Sequence, residues 1–400
     1  MRYRKIPKNN DQLSALGYGC MRFPAGADGQ VDKAKAIAQI HYGIERGINY
    51  YDTAWPYHGG LSEPILGEAL QGGRREQVKI ATKLPTWLIN TRQDMDDYLN
   101  KQLEKLKTDR IDYYLLHALN GASWQKLMQL GVVDFLEGAL KDGRIINPGF
   151  SFHGLLDEFK EIIDGYPWVF CQIQYNYLDQ QYQAGLEGLN YAAQKDIGVI
   201  IMEPLRGGNL GLAEPPPAIQ EIWDQADTRR TPVDWALSWI WNHPGVSVIL
   251  SGMNDDEHIK ENIEIAGRSE INQFSEDESE LVAQAAAKYK ALMRVGCTGC
   301  GYCMPCPEGV MISPIFEVYN KMYLFGNKEE AQFMYAARVS SLLSGEPGYA
   351  SLCIQCGECL EKCPQGIPIP DVLAEAAEEL EEGMEPKLEI IQNMFKGSAT

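Results

Sequence analysis

Gly47-Ile48-Asn49-Tyr50-Tyr51-Asp52-Thr53-Ala54-Trp55-Pro56-Tyr57, residues 47–57, sets the architecture of this 400-residue chain. Gly47 ends a helical pattern that runs from Lys33 to Arg46, because glycine accepts the left-handed backbone that closes a helix. Ile48 to Asp52 then reads as a short buried strand. A loop rich in turn formers carries the chain on to Tyr57. The same order of strand then helix recurs on both sides of this stretch. Strands are predicted at Leu16 to Cys20, Val78 to Lys83, Ile111 to His117, Ile145 to Ser151, Val169 to Tyr175, Gly198 to Met202 and Val246 to Ser251. Helices are predicted between them, including Glu63 to Leu70, Gln93 to Lys107, Trp124 to Lys141 and Asp256 to Ala266. Eight such repeats predict an α/β fold of the closed (β/α)8 TIM barrel type. No Gly-x-Gly-x-x-Gly follows the first strand, which counts against a doubly wound dinucleotide fold.

A barrel needs about 250 residues, so this chain has room for a smaller domain. The expected organisation is a barrel over 1–275, a connecting helix over 276–296, a small and mostly helical second domain over 297–370, and an acidic helix or tail over 371–400. In a parallel barrel the chemistry sits where the strands end. That rule singles out Asp52, Lys83 and His117, each closing an apolar strand. Tyr57 follows Asp52 by five residues, in a loop able to return over the same rim. Reduction of a carbonyl builds negative charge on oxygen, which calls for a proton donor within hydrogen-bond reach. A phenol has an ordinary pKa near 10, and a neighbouring ammonium lowers it by favouring the phenolate. Tyr57 is thus expected as the acid, Lys83 as its activating cation, Asp52 as the anchor of Lys83, and His117 as a donor to the substrate oxygen.

These residues resemble the aldo-keto reductase family. The signature runs through Gly47 to Ala54, Trp55-Pro56-Tyr57, Ser62-Glu63 and Leu66-Gly67-Glu68-Ala69-Leu70, and the opening Tyr3-Arg4-Lys5 and Ser14 to Arg22 are similar too. The likeness spans about residues 3–266. It implies a (β/α)8 barrel with Asp52, Tyr57, Lys83 and His117 as a catalytic tetrad, acting on a small carbonyl or alcohol with a nicotinamide cofactor. It further implies cofactor contacts at Ser151, Gln172, Leu205, Arg206, Gly207, Glu261 and Asn262. Gln172 would hold the carboxamide, Leu205, Arg206 and Gly207 the pyrophosphate, and Glu261 with Asn262 the adenine. The pattern departs at Phe152, where the family has Asn, and at Met202, where it has a stacking aromatic. It departs again at Gly252, Met253 and His258, where the family has the Lys, Ser and Arg that grip a 2′-phosphate. A dianionic phosphate wants Lys or Arg. NADH and NADPH therefore both stay open, as does a flavin in the same mouth.

Eight of the ten cysteines form two runs. Cys297, Cys300, Cys303 and Cys306 precede Pro307. Cys353, Cys356, Cys359 and Cys363 precede Pro364. Runs that close on Cys-Pro mark a pair of [4Fe-4S] clusters, and in such pairs the fourth Cys of each run ligates the other cluster. The expected sets are Cys297, Cys300, Cys303 and Cys363 for the first cluster, and Cys353, Cys356, Cys359 and Cys306 for the second. Two tetrathiolate zincs would use the same eight residues, but zinc sites are built from two separated pairs rather than four cysteines in one run. The long helical insert between the runs is similar to α-helical ferredoxin domains. The whole resembles an iron–sulfur branch of the aldo-keto reductases. An electron-transfer protein whose barrel binds a nucleotide or flavin without reducing carbonyls is the alternative, and a ferredoxin-like redox partner fits either reading.

The net charge is −19 at pH 7, which argues against a nucleic-acid partner. No run of about 18 apolar residues suggests a membrane span, and no apolar stretch behind the basic N-terminus suggests a signal peptide. Thiolate ligands call for a reducing compartment, so a cytoplasmic protein is expected.

Overall fold

A computed structural model describes residues 1–26, 30–340 and 346–388. The chain separates into two compact units, Met1–Leu205 with Arg230–Ser275 and Arg206–Arg229 with Glu276–Thr400. The units are therefore not consecutive blocks of sequence.

The first unit opens on a short antiparallel hairpin, β1 (Tyr3–Lys5) and β2 (Gln12–Ser14). Eight parallel strands follow: β3 (Leu16–Gly19), β4 (Tyr50–Asp52), β5 (Lys79–Leu84), β6 (Ile111–Leu119), β7 (Ile145–Phe152), β8 (Phe170–Gln174), β9 (Gly198–Met202) and β10 (Val246–Ser251). They close on themselves in the order β10-β3-β4-β5-β6-β7-β8-β9, the barrel that eight repeats require. Alternation along each strand sorts the side chains. Tyr50, Ala81, Tyr113, Leu115, Phe170, Ile200 and Val248 fill the interior, joined by Ile6 and Leu13 from the hairpin segment. Their neighbours Tyr51, Ile80, Tyr114, Leu116, Cys171, Ile201 and Ile249 face outward and pack under the helices.

Those helices are α1 (Lys33–Glu45), α2 (Ser62–Ala69), α3 (Arg92–Leu106), α4 (Gly121–Gln129), α5 (Val132–Lys141), α6 (Leu156–Gly165) and α7 (Gly185–Gln194). The single helix expected over Trp124 to Lys141 is in fact two. Gly131 stands between them at φ 79°, a left-handed conformation that glycine adopts without strain. Periodicity is blind to that break because the apolar face continues on both sides of it. Neither the hairpin nor α8 (Pro217–Trp223) was anticipated; both are short, and α8 follows a Pro-rich stretch that reads as loop. Helices α9 (Pro232–Trp241) and α10 (Asp256–Arg268) complete the first unit.

The second unit contains α8, α11 (Glu276–Leu292), α12 (Ile312–Phe325), α13 (Lys328–Val339) and α14 (Ile369–Leu380). Its core gathers Val295, Ile312, Ile315, Phe316, Tyr319, Tyr335 and Leu373. In the helical insert expected between the cysteine runs, α13 ends at Val339, and 341–345 lie outside the described residues. The acidic C-terminal stretch is more than a solvated face. Ile369, Leu373, Ala376 and Leu380 are buried along one side of α14, and Glu379 accepts hydrogen bonds from Tyr319 and Tyr323. The expected tail beyond residue 388 lies outside the described residues. Among them, no helix is long and apolar enough to cross a membrane.

Candidate active site

Asp52, Lys83 and His117 reach one level of the barrel because the strands tilt. Asp52 is paired in register with Ala81, and Lys83 lies two residues beyond that partner. Lys83 is paired with Leu115, and His117 lies two residues beyond again. Such a stagger is the consequence of closing a tilted sheet, so residues at one height are offset from their register partners. Parity on each strand turns all three inward, and all three are buried. Lys83 Nζ donates to Asp52 Oδ1 at 2.6 Å, to Thr53 O at 2.8 Å and to Tyr57 Oη at 3.4 Å. Burial raises the Asp52 carboxyl above its ordinary range, and Lys83 opposes that rise.

The loop that carries Tyr57 is clamped at both ends. Ser62 Oγ lies 2.8 Å from Thr53 Oγ1 and donates to Cys20 O at 2.9 Å. The Lys105 ammonium sits 3.4 Å over the Trp55 ring. His58 adopts φ 53°, accepts a hydrogen bond from Phe23 N at 3.0 Å and stacks on the Phe23 ring. A left-handed non-glycine residue held this way costs energy, which fits a loop whose position matters more than its ease. Tyr57 itself is only 9% exposed.

His117 presents its ring edge-on to Tyr57, with centroids 6.2 Å apart, and the Trp87 ring lies 5.1 Å away. Burial, aided by Lys83 and His153, pushes the His117 imidazole well below its ordinary range, which holds it neutral. Burial also lowers His153 to about 4, although its bond to Gln183 opposes this. Both groups bind fewer protons when folded than when unfolded. Their contribution is complete above the ordinary value of 6.5 and is lost as pH falls through the folded value. The melting temperature is expected to drop between pH 6.5 and about 4, with His153 alone accounting for up to ~3 kcal/mol. Thermal melts of His153→Gln should show a flatter acid limb than the wild type; identical acid limbs would remove His153 from the account.

The aromatic residues of the neighbouring loops divide cleanly. Trp87 is 47% exposed beside His117, whereas Trp124 is 4% exposed and packs on Trp168. Trp124 is therefore core, and Trp87 is available to a ligand.

The expected nucleotide contacts are in varied states. Ser151 and Gln172 are register partners on β7 and β8. Ser151 Oγ accepts from Ala118 N at 2.8 Å, which pins the residue after His117 in its left-handed conformation. Gln172 is buried; its Nε2 lies 3.5 Å from Met202 Sδ, and its Oε1 has no hydrogen-bond partner among the described residues. Asn262 is buried and donates to Ser251 Oγ, while Glu261 accepts from Thr231 at 2.6 Å. Leu205 is half-buried at the end of the first unit. Arg206 and Gly207 belong to the second unit, where Arg206 is 9% exposed and its Nη1 is 3.9 Å from Met293 Sδ. Arg22, which sequence reasoning did not single out, lays its stem across Gly252, within 3.1 Å of where a Cβ would stand. Only the approach of two distant strand ends reveals it.

In the second unit the eight clustered cysteines line two cavities. Cys297, Cys300, Cys303 and Cys363 line one, with Thr298, Ser313 and Phe316. Cys306, Cys353, Cys356 and Cys359 line the other, with Ile354 and Pro307, and Cys303 borders it too. Each cavity thus takes three cysteines from one run and the fourth from the other. Among the described residues no three His, Cys, Asp or Glu side chains converge closely enough to hold a single metal ion. A tetrathiolate zinc, with each sulfur at about 2.3 Å, needs that convergence. A four-iron cluster places each thiolate on a different iron and fits donors spread around a cavity.

The aldo/keto reductase family profile matches residues 15–287, and that of a 4Fe-4S dicluster domain matches residues 296–367. The chain belongs to the aldo/keto reductase family, and it is an oxidoreductase carrying a 4Fe-4S dicluster domain. It is 26% identical over 309 residues to the uncharacterised oxidoreductase YqkF of Bacillus subtilis, covering 68% of this chain and 94% of that one. It is 27% identical over 300 residues to L-galactose dehydrogenase of Arabidopsis thaliana, covering 70% and 91%. It is 28% identical over 255 residues to methylglyoxal reductase YeaE of Escherichia coli, covering 62% and 84%. Among solved structures, aldo-keto reductase AKR11C1 from Bacillus halodurans matches with a TM-score of 0.61 at 23% identity, over 71% of this chain and 96% of that one. An aldo/keto reductase from Klebsiella pneumoniae in complex with NADP and acetate matches with a TM-score of 0.58 at 22% identity, over 71% and 95%. At such identities the structural likeness speaks for the fold alone.

Proposed function

We propose that the barrel interconverts a small carbonyl compound and its alcohol, with hydride exchanged with NADH or NADPH. The observation that carries this reading is the buried chain Asp52–Lys83–Tyr57, with contacts of 2.6 and 3.4 Å. The nicotinamide, when bound, supplies or takes the hydride at the carbonyl carbon. Tyr57 Oη gives its proton to the carbonyl oxygen, and the Lys83 ammonium stabilises the phenolate left behind. Asp52 and Thr53 O fix the direction of that ammonium. His117, held neutral, donates to the same oxygen and orients it against Tyr57. Support also comes from the relatives, among them a methylglyoxal reductase and an L-galactose dehydrogenase.

Gln172 suits the carboxamide of a nicotinamide. A buried amide oxygen with no partner invites a donor, and the amide nitrogen beside a weak sulfur acceptor invites a better one. Gln172→Leu is expected to weaken nucleotide binding about 5- to 150-fold, the worth of roughly two neutral hydrogen bonds. Fluorescence titration with NADH and NADPH reads this directly, and unchanged affinity for both would remove Gln172 from the site. Arg22 brings a cation to the rim beside Gly252, close to where the family's phosphate-gripping residues are missing.

In the second unit, Cys297, Cys300, Cys303 and Cys363 hold one [4Fe-4S] cluster, and Cys306, Cys353, Cys356 and Cys359 hold the other. These clusters pass single electrons, in keeping with exchange with a ferredoxin-like partner. Protein purified without oxygen should contain iron and sulfide for both clusters and should oxidise NADH or NADPH only when an aldehyde or ketone is added. Flavin analysis of the same sample decides whether a two-electron to one-electron converter is bound. Full iron content with no carbonyl-dependent oxidation of either nucleotide would sink the reductase reading.

A further inference from the structure

We propose that Arg206 is a positioning cation for the first thiolate cavity and raises the reduction potential of the cluster held there. The inference rests on reading Cys297, Cys300, Cys303 and Cys363 as cluster ligands. The turn Arg206–Gly208 begins four residues after the end of β9, yet it groups with the cysteine-bearing unit. Within that unit its backbone lies against the loop between Cys297 and Cys300. A Cβ on Gly207 would stand 2.0 Å from Thr298 O and 2.7 Å from Thr298 C, so no side chain fits. At Gly208, one residue on, nothing lies within 4 Å of the same position. Thr298 itself lines the first cavity.

The side chain of Arg206 follows the same direction. Its Nη1 is 3.9 Å from Met293 Sδ, and its Nη2 is 3.3 Å from where a Cβ on Gly296 would stand. Gly296 directly precedes Cys297. Asn209 Nδ2 donates to Arg206 O at 2.8 Å and fixes the turn. Arg206 adopts φ 49° and Gly207 φ 70°. An arginine in the left-handed region is strained, and it persists where its neighbours over-determine it. Those contacts hold one cation beside the segment that presents the first cysteine.

A cluster that accepts one electron gains one negative charge. A guanidinium nearby stabilises the reduced form, and burial keeps water and salt from screening the attraction. Net charge and hydrogen bonding around the sulfurs are the terms through which a protein sets such a potential. The second cavity, lined by Cys306, Cys353, Cys356 and Cys359, serves as the internal reference.

The test is an anaerobic redox titration of the holoprotein with mediators and dithionite, followed by EPR, on the wild type, Arg206→Gln, Arg206→Lys and Cys297→Ala. In Arg206→Gln one midpoint should move to more negative potential while the other stays, and Arg206→Lys should recover part of the shift. The midpoint that moves should be the one missing from Cys297→Ala. Two unchanged midpoints, or a shift in the signal that Cys297→Ala retains, overturn the proposal. If Arg206→Gln purifies without iron, Gly207→Ala carries the decision. It keeps the charge but forces the turn off Thr298, so the same negative shift is expected, and an unchanged midpoint overturns the proposal. Wild-type protein without four-iron signals sinks the ligand reading and this one together; intact signals indifferent to Arg206 sink this one alone.

Discussion

Tyr57→Phe is expected to lower kcat for carbonyl reduction by 10²- to 10⁴-fold, about 3–5 kcal/mol, while nucleotide affinity stays within about twofold. The ring remains, so the packing of a residue that is 9% exposed is preserved, and only the proton is lost. Lys83→Met should match it by a different route. The phenol would survive, but its conjugate base would lose the ammonium 3.4 Å away, and Asp52 would be left as a buried carboxylate without its cation. Lys83→Met should therefore also cost stability, whereas Tyr57→Phe should not. Steady-state kinetics, nucleotide titration and thermal melts on the three proteins separate these effects. Reduction at an undiminished rate in Tyr57→Phe would mean that another group delivers the proton.

The second large effect concerns how the thiolates are shared. Cys363 belongs to the second run by sequence but lines the cavity of Cys297, Cys300 and Cys303. Cys306 shows the reverse, lining the cavity of Cys353, Cys356 and Cys359. Cys363→Ala is expected to lose about half of the iron and to leave the same EPR signal as Cys297→Ala. Cys306→Ala should instead resemble Cys353→Ala. If Cys363→Ala behaves like Cys353→Ala, each cluster is built from a single run and the crossed arrangement is wrong. Either loss should also lower the melting temperature of the second unit, because its cysteine loops lack regular secondary structure and metal binding is part of their folding energy.

Much of this was legible in the chain. The alternation of short β-branched runs with helical patterns carried the eight-stranded barrel. The rule that chemistry sits at strand ends drew out Asp52, Lys83 and His117, whose inward direction follows from strand parity and whose common level follows from the stagger of the strands. Tyr57 was reachable because its loop is short. The thiolate runs announced themselves by spacing. What stayed hidden depends on contacts between residues far apart in sequence. The stem of Arg22 across Gly252 has no local signature. Trp87 and Trp124 look alike as aromatic residues shortly after a strand, and only packing makes one core and the other available to a ligand. The family resemblance implies a pyrophosphate cation at Arg206, yet its guanidinium is turned toward Met293 and Gly296. The split of α4 from α5 rested on one residue, Gly131, inside an unbroken apolar stripe.

Residues 206–229 interrupt the first unit's sequence and contribute α8, which packs on α11, to the second. The iron–sulfur half is consequently no simple graft onto the end of a finished enzyme. A fragment cut at residue 276 would leave its own first layer behind, and a truncated barrel would keep a hydrophobic orphan with nothing to cover it. Dividing this oxidoreductase takes three cuts and a splice, not a single cut.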